Sequence, residues 1–213
     1  MSAVGVHKIT EDFERELCRY TGAKFACCTD NMSNALYLAL TYVDVTYKDV
    51  YLPSRTYPSV PCEVIAAGAR VRWLPSPEKT LTGEYQLTPT PVWDSALRFT
   101  ADMFRPGQFQ CVSFTGPFKH FKLSKGGAIL HDDPKAVEFF IRGRNSGRGE
   151  CSYHVDNFTS LGRNCYMMPE LSARGLLLIQ QFYNLDGTKR HNEDLTLPYP
   201  DLSQFEIYKQ CQS

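Results

Sequence analysis

Short apolar runs alternate with amphipathic stretches along most of the chain. Phe13, Leu17 and Tyr20 recur at spacings of four and three, which predicts a helix over 10–20 that ends at Gly22. Short apolar runs flanked by turn residues are typical of buried strands. They predict strands at 24–28, 50–52, 70–74, 91–94, 110–114 and 127–130, and further helices start after Asn31 and Pro58 and cover 134–142 and 169–182.

Alternating strands and helices predict an α/β fold, with a mostly parallel sheet flanked by helices on both faces. One such domain accounts for residues 1–184. The polar, proline-punctuated stretch 76–90 is interpreted as a loop. The polar tail, 185–213, is expected to pack on the surface of the domain.

Composition narrows the function classes. The 23 basic and 23 acidic residues balance, so neither nucleic acid nor an anionic membrane is expected as a partner. The eight cysteines form no Cys-x-x-Cys pair, which argues against zinc and favours reduced thiols in the cytoplasm. The sequence shows neither a signal peptide nor an apolar run of about 20 residues, the length that crosses a bilayer.

Polar residues follow four of the predicted strands, at 30–34, 54–57, 94 and 113–119. In open α/β sheets ligands bind at the carboxyl ends of strands. We therefore expect these four segments to line one crevice.

The segment around Lys119 carries the chemistry. Ser113 and Phe114 end a predicted strand, and Gly126 follows Lys119 by seven residues. This pattern resembles the lysine segment of the DegT-type aminotransferases, which are pyridoxal phosphate (PLP) enzymes of fold type I. The resemblance implies that Lys119 carries the cofactor as a Schiff base, whereas Lys122 and Lys125 miss the spacing and are interpreted as surface charges. An exposed lysine has a pKa of about 10.4 and is a poor nucleophile, so burial that lowers the pKa is expected at Lys119.

Further segments resemble the same family in the same order, within about residues 8–182. The resemblance implies that Asp94, in Val-Trp-Asp-Ser-Ala, faces the pyridine nitrogen and that Tyr57 stacks on the cofactor ring. It implies that the phosphate is held by hydroxyls and a helix N-terminus, from Ser33, Asn34 and Ser113. Asn164, in Gly-Arg-Asn-Cys-Tyr-Met, is implied to reach the phosphate in the partner subunit of a homodimer.

The chain also departs from the family. Tyr166 replaces an arginine, Leu97 replaces a glutamine or histidine, and a strand–helix unit between Leu74 and Val92 is missing. The family's separate C-terminal domain has no counterpart, so the sequence resembles a shortened version, like copies found in viral and phage genomes.

The function implied by the resemblance is amino-group transfer from a small amino donor to a keto sugar nucleotide or another small ketone. Arg55 and Arg98 are candidate anchors for a substrate carboxylate or phosphate, and His120 is a candidate proton carrier. Surface salt bridges are an equal interpretation of both arginines. Two alternatives stay open: other PLP chemistry, such as a decarboxylase, lyase or racemase, and a non-catalytic PLP-binding or regulatory protein.

Overall fold

The computed structural model describes residues 8–74, 80–149, 151–152, 154–191 and 195–209. Its helices are α1 (Lys8–Thr21), α2 (Met32–Tyr42), α3 (Ser59–Ala66), α4 (Ala136–Arg144), α5 (Pro169–Ile179) and α6 (Glu206–Lys209). Its strands are β1 (Phe25–Thr29), β2 (Asp49–Pro53), β3 (Arg70–Leu74), β4 (Thr80–Thr82), β5 (Tyr85–Gln86), β6 (Val92–Ser95), β7 (Phe109–Ser113), β8 (Gly127–His131) and β9 (Thr196–Pro198). Short 3-10 turns occur at Gln180–Phe182 and Leu202–Gln204.

The helices and strands expected from the periodicity are present at their expected places. The predicted loop at 76–90 is wrong in its described part, since it contains β4 and β5. These strands are only three and two residues long, too short to produce a periodic pattern.

The central sheet has the order β1-β8-β7-β6-β5. Only β6 and β7 pair in parallel, while β1–β8, β7–β8 and β5–β6 are antiparallel. The expectation of a mostly parallel sheet is therefore wrong, and the sheet is mixed. The connection from β7 to β8 contains no helix among its residues, 114–126, so β8 runs back beside β7.

A separate parallel pair, β2 and β3, lies next to the β5 edge of this sheet. Tyr51 and Thr88 join the two parts through a pair of backbone hydrogen bonds of 2.7 and 3.0 Å. The segment 85–88 thus lies between β2 and β6.

Helices cover both faces of the sheet with two hydrophobic cores. One core contains side chains of α2, α3 and α4, and the other contains side chains of α1 and α5. Strand β8 contributes to both, since Ile129 faces the first core and Ala128 and Leu130 face the second. This two-sided burial holds the strand ends in place.

The cysteines in the described ranges are free thiols, and Cys27, Cys28, Cys111 and Cys165 are buried. Across the same ranges no group of three or more His, Cys, Asp and Glu side chains could hold a metal ion. None of the described helices is long and apolar enough to span a membrane.

Candidate active site

A cavity of about 470 Å³ lies beside the carboxyl ends of β6 and β7 and the N-terminus of α2. This volume is within the range of pockets that bind small molecules. All four polar segments that follow the predicted strands contribute to its wall, as the sequence predicted. The lining residues used below are Met32, Ser33, Tyr57, Asp94, Ser113, Gly116, Lys119, Lys125, Leu195, Leu197 and Tyr199.

Asp94 is a buried carboxylate in the cavity wall, with 3% of its surface exposed. Its Oδ1 accepts a hydrogen bond from the Ala96 backbone N–H (2.8 Å), and its Oδ2 accepts one from the Tyr85 hydroxyl (2.7 Å). Burial raises the pKa of Asp94, and the two hydrogen bonds oppose that rise. A buried carboxylate with donors on both oxygens is fixed in orientation and is well placed to bind a protonated ring nitrogen.

Lys119 reaches the same cavity from the loop after β7. Burial lowers its pKa to about 8, and the nearby negative charge of Asp94 partly offsets this effect. Gly116 has a φ of +140°, and a Cβ at this position would lie 3.4 Å from Lys119 Cγ. Because the pKa is low, a sizeable fraction of the amine is neutral near physiological pH and can act as a nucleophile.

The N-terminus of α2 forms another part of the wall. Asn31 caps the helix, because its Oδ1 accepts a hydrogen bond from the Asn34 N–H (2.8 Å). Ser33 lines the cavity, and its hydroxyl donates to Ser59 Oγ (2.7 Å). Gly127 makes this arrangement possible, since a Cβ there would lie 2.6 Å from the Cα and N atoms of Met32. The positive end of the helix and the Ser33 hydroxyl together suit a phosphate.

Ser113 and Tyr57 also line the cavity, as predicted. The Ser113 hydroxyl accepts a hydrogen bond from the Thr115 N–H (3.3 Å) at the end of β7. Tyr57 is 56% exposed, which puts its ring at the cavity rim.

Asn34 and Asn164, the other residues expected near a phosphate, do not line this cavity, and the expectation for Asn164 concerned the phosphate of a partner subunit. The Asn34 side chain donates to Asp30 Oδ1 (2.8 Å) and accepts from Arg163 Nη1 (3.0 Å). Only its backbone N–H, bonded to the Asn31 cap, belongs to the helix N-terminus. Asn164 is exposed and forms an isolated bridge with Asn145.

The three candidate substrate residues are also absent from the main cavity wall. Arg55 donates from Nη1 to the Tyr199 carbonyl (3.0 Å), and Arg98 Nε lies 3.7 Å from Glu84 Oε1. His120 is exposed and shares a crevice of about 10 Å³ with Arg98 and Lys119.

Sequence reasoning missed several residues that line the cavity or contact its lining. Tyr85 belongs to the segment interpreted as a loop, and its hydroxyl contacts both Asp94 and Thr56. Lys125, interpreted as a surface charge, lies at the cavity edge and pairs with Asp30 at 3.2 Å. The tail contributes Leu195, Leu197 and Tyr199, whose spacing of two was a visible strand signal.

These groups fit pyridoxal phosphate. The cavity brings together a buried carboxylate, an amine of lowered pKa and a helix N-terminus with an adjacent hydroxyl. Each matches one part of that cofactor: the ring nitrogen, the aldehyde and the phosphate.

Comparison with known proteins supports the resemblance that the sequence motifs suggested. The sequence model of the DegT/DnrJ/EryC1/StrS aminotransferase family matches residues 5–83. A Campylobacter jejuni UDP-4-amino-4,6-dideoxy-N-acetyl-beta-L-altrosamine transaminase is 33% identical over 67 residues, which are 32% of this chain and 18% of that enzyme.

Solved structures show the same fold. DesV of S. venezuelae superposes with a TM-score of 0.65 at 20% identity, covering 81% of this chain and 56% of DesV. A Bacillus subtilis protein, NtdA, solved with bound cofactor PMP, has a TM-score of 0.63 at 17% identity and matches 81% of this chain and 48% of its own. The chain therefore shares its α/β fold with these proteins and spans about half of their length.

Proposed function

On the premise that this chain is related to the DegT/DnrJ/EryC1/StrS aminotransferases, we propose that it is a PLP-dependent aminotransferase. The amino acceptor is a keto sugar nucleotide or another small ketone, and a small amine is the donor. The observation that carries the proposal is the presence of Lys119 and Asp94 in one buried cavity at the start of α2.

The residues that hold the cofactor follow from the chemistry of the wall. Asp94 binds the pyridine nitrogen and keeps it protonated, and Tyr57 packs against the ring from the rim. The phosphate is bound by the Ser33 and Ser113 hydroxyls and by the N–H groups at the start of α2. When bound, pyridoxal phosphate supplies a ring that accepts electrons from the substrate carbon that loses its proton.

Lys119 has two tasks in this proposal. Its neutral amine, available because burial lowers the pKa to about 8, holds the cofactor covalently between turnovers. Once a substrate amine has taken its place, the freed amine of Lys119 accepts the proton that leaves the substrate α-carbon. The hydrogen bonds from Tyr85 and from the Ala96 N–H favour the ionised form of Asp94, against the effect of burial.

The first experiment is an absorption spectrum of the purified protein with pyridoxal phosphate, before and after borohydride reduction, followed by peptide mass mapping. We expect a yellow band and a reduced cofactor fixed on Lys119, both lost in Lys119→Ala. Lys122→Ala is the matched control, since Lys122 is an exposed lysine of the same loop.

The outcomes separate the alternatives. A missing band, or a label spread over several lysines, would contradict the proposal. A stable band that no amine alters would favour a binding or regulatory protein. A band that amines alter without forming a new amine product would favour a decarboxylase, lyase or racemase.

We also propose a homodimer with shared active sites. Exposure of Asn164, and of Leu161 two residues before Arg163, supports a contact at this loop. The apolar run 176–179 adds little support, since Ile179 is fully buried in the chain's own core and Leu177 is the exposed member of the run. Sedimentation equilibrium is expected to give twice the chain mass, and a monomer that still binds pyridoxal phosphate would contradict the dimer.

A further inference from the structure

Residues 195–202, which we call the strap, form part of the cavity wall. Their exposure alternates, with Leu195, Leu197 and Tyr199 partly buried and the residues between them exposed. This period of two is that of an extended segment with one face turned inward. The inward side chains are those that line the cavity beside Lys119.

Backbone hydrogen bonds fix the strap at both ends. At its start, the Leu195 N–H donates to the Leu97 carbonyl (2.8 Å), and β9 pairs with β4. At its end, the Leu202 N–H donates to the Ser54 carbonyl (2.8 Å), and the Leu202 side chain is 3% exposed. The strap is therefore a wall attached to the domain on both sides of the cavity.

Arg55 holds the strap in its middle. Its Nη1 donates to the Tyr199 carbonyl (3.0 Å), and its Nη2 lies 3.9 Å from Asp201 Oδ2. Hydrogen bonds from a charged donor are stronger than neutral ones. The guanidinium that the sequence suggested as a substrate anchor is thus committed to the strap.

Tyr199 is the largest of the inward side chains of the strap. Its ring meets that of Tyr57 edge to face, with centroids 6.4 Å apart and planes at 77°. Burial raises the pKa of Tyr199 to about 12, with a further contribution from the charge of Asp94. Tyr199 thus lines the cavity as a neutral phenol beside Tyr57, whose ring is exposed at the rim.

We propose that the strap limits the size of the molecules that reach Lys119, and that Tyr199 sets this limit. The inference rests on the proposed function only in that a substrate amine must reach Lys119. It makes Tyr199 a specificity-determining residue and Arg55 a positioning residue that acts through the strap.

The test compares a small and a bulky amine reagent on the protein without cofactor. Formaldehyde with cyanoborohydride is the small reagent and trinitrobenzenesulfonate is the bulky one, with modification at each lysine read by peptide mass mapping. Rates at Lys119 are divided by those at Lys24, which is exposed. In the wild type we expect Lys119 to react with the small reagent and to exclude the bulky one.

Two variants open the wall in different ways. Tyr199→Ala removes the ring. Arg55→Ala keeps the ring but removes the contacts that hold the strap in place. Loss of a hydrogen bond from a charged group shifts a local opening by about tenfold, so we expect the bulky reagent to react about tenfold faster in Arg55→Ala. Tyr199→Ala should give at least this increase, Tyr199→Phe should keep the wild-type ratio, and the small reagent should change little in any variant.

Pro198→Ala is the control, because Pro198 is an exposed, outward-facing residue of the strap. Equal bulky-to-small ratios in the wild type, Tyr199→Ala and Arg55→Ala would overturn the inference, provided that thermal unfolding shows the variants folded. Pyridoxal phosphate binding is recorded in parallel. Failure of the wild type to bind it would contradict the proposed function while leaving the ratios readable, whereas binding with equal ratios would contradict the strap alone.

Discussion

The cavity has two walls that are built differently. One wall, which we call the floor, contains Ser33, Asp94, Ser113 and Lys119 and comes from strand ends, a helix start and a loop of the central sheet. The strap, by contrast, is held by a three-residue strand pairing, a few backbone hydrogen bonds and Arg55. Since local opening requires less free energy where few buried contacts are lost, the floor should stay fixed under conditions in which the strap opens. The groups proposed to perform chemistry thus belong to the wall expected to be rigid, and the proposed control of access belongs to the weaker one.

The largest effect should follow a change in the floor. Asp94→Asn keeps the shape of the side chain and removes the negative charge. Loss of a preorganised charge in a buried site lowers the rate by about a hundredfold or more, and we expect a loss of this size in amine turnover. The rate of the half-reaction with an amine, followed by the cofactor absorbance, measures it.

Asp132→Asn is the control for this change, because Asp132 accepts a hydrogen bond from the Gly107 N–H outside the cavity. Equal rates in the two variants would remove Asp94 from the proposed site. If Asp94→Asn loses turnover while the ratio of bulky to small reagent modification at Lys119 stays unchanged, the two walls act independently.

A smaller effect is expected where the floor depends on close packing. In Gly127→Ala the new Cβ would lie 2.6 Å from backbone atoms of Met32, so β8 and the start of α2 must move apart. Overpacking of this kind costs about 1–3 kcal/mol of unfolding free energy, measured by denaturant titration. Weaker cofactor binding should accompany it, since α2 supplies the phosphate site.

Gly149→Ala is the matched control, since its Cβ would meet only the flexible end of the Arg142 side chain, at 3.2 Å. Equal stability of the two variants would show that the contact between β8 and α2 relaxes without cost. It would also remove the reason for a glycine at this point of the floor.

The sequence predicted the floor well and the strap poorly, for physical reasons. Because β6 and β7 are parallel neighbours, their carboxyl ends meet at one edge, so Asp94, Ser113 and Lys119 could be placed in one crevice from their positions alone. The tail was expected on the surface because 185–213 is polar and contains prolines. Its inward leucines gain their role from pairing with β4, a contact between distant parts of the chain that no local pattern reveals.

The same reason explains the errors in the sheet. Local periodicity identifies a strand without giving its neighbour or direction, so the antiparallel pairing of β8 was missed. Asn34 was expected near the phosphate as part of a helix N-terminus, and no local pattern showed that its side chain would pair with Asp30 and with Arg163, which is far away in the sequence. Strand pairing and side-chain contacts of this kind depend on segments that are far apart in the sequence.

The smallest effect should come from a change at Tyr85. This residue donates a hydrogen bond to Asp94 of the floor and lies in the stretch 76–90, which the sequence predicted to be a loop. Tyr85→Phe removes the hydrogen bond that opposes the burial-driven rise in the pKa of Asp94. The pKa of Asp94 should therefore rise further. Because Asp94 must be ionised to bind the ring nitrogen, cofactor binding should be lost at a higher pH than in the wild type as the solution is acidified. Absorbance titration with pyridoxal phosphate across the acid range measures this shift.

Tyr42→Phe is the matched control for Tyr85→Phe. It removes a similar tyrosine-to-aspartate hydrogen bond, from the Tyr42 hydroxyl to Asp133 Oδ2 (2.6 Å), that lies outside the cavity wall. It should lower stability without moving the pH at which the cofactor is released. If both variants shift that pH equally, the shift reflects general destabilisation. If only Tyr85→Phe shifts that pH, the short strand β5 has a chemical role in the floor. The floor would then also depend on a segment that the sequence did not predict, so floor and strap would differ in stiffness and not in how readily each is predicted.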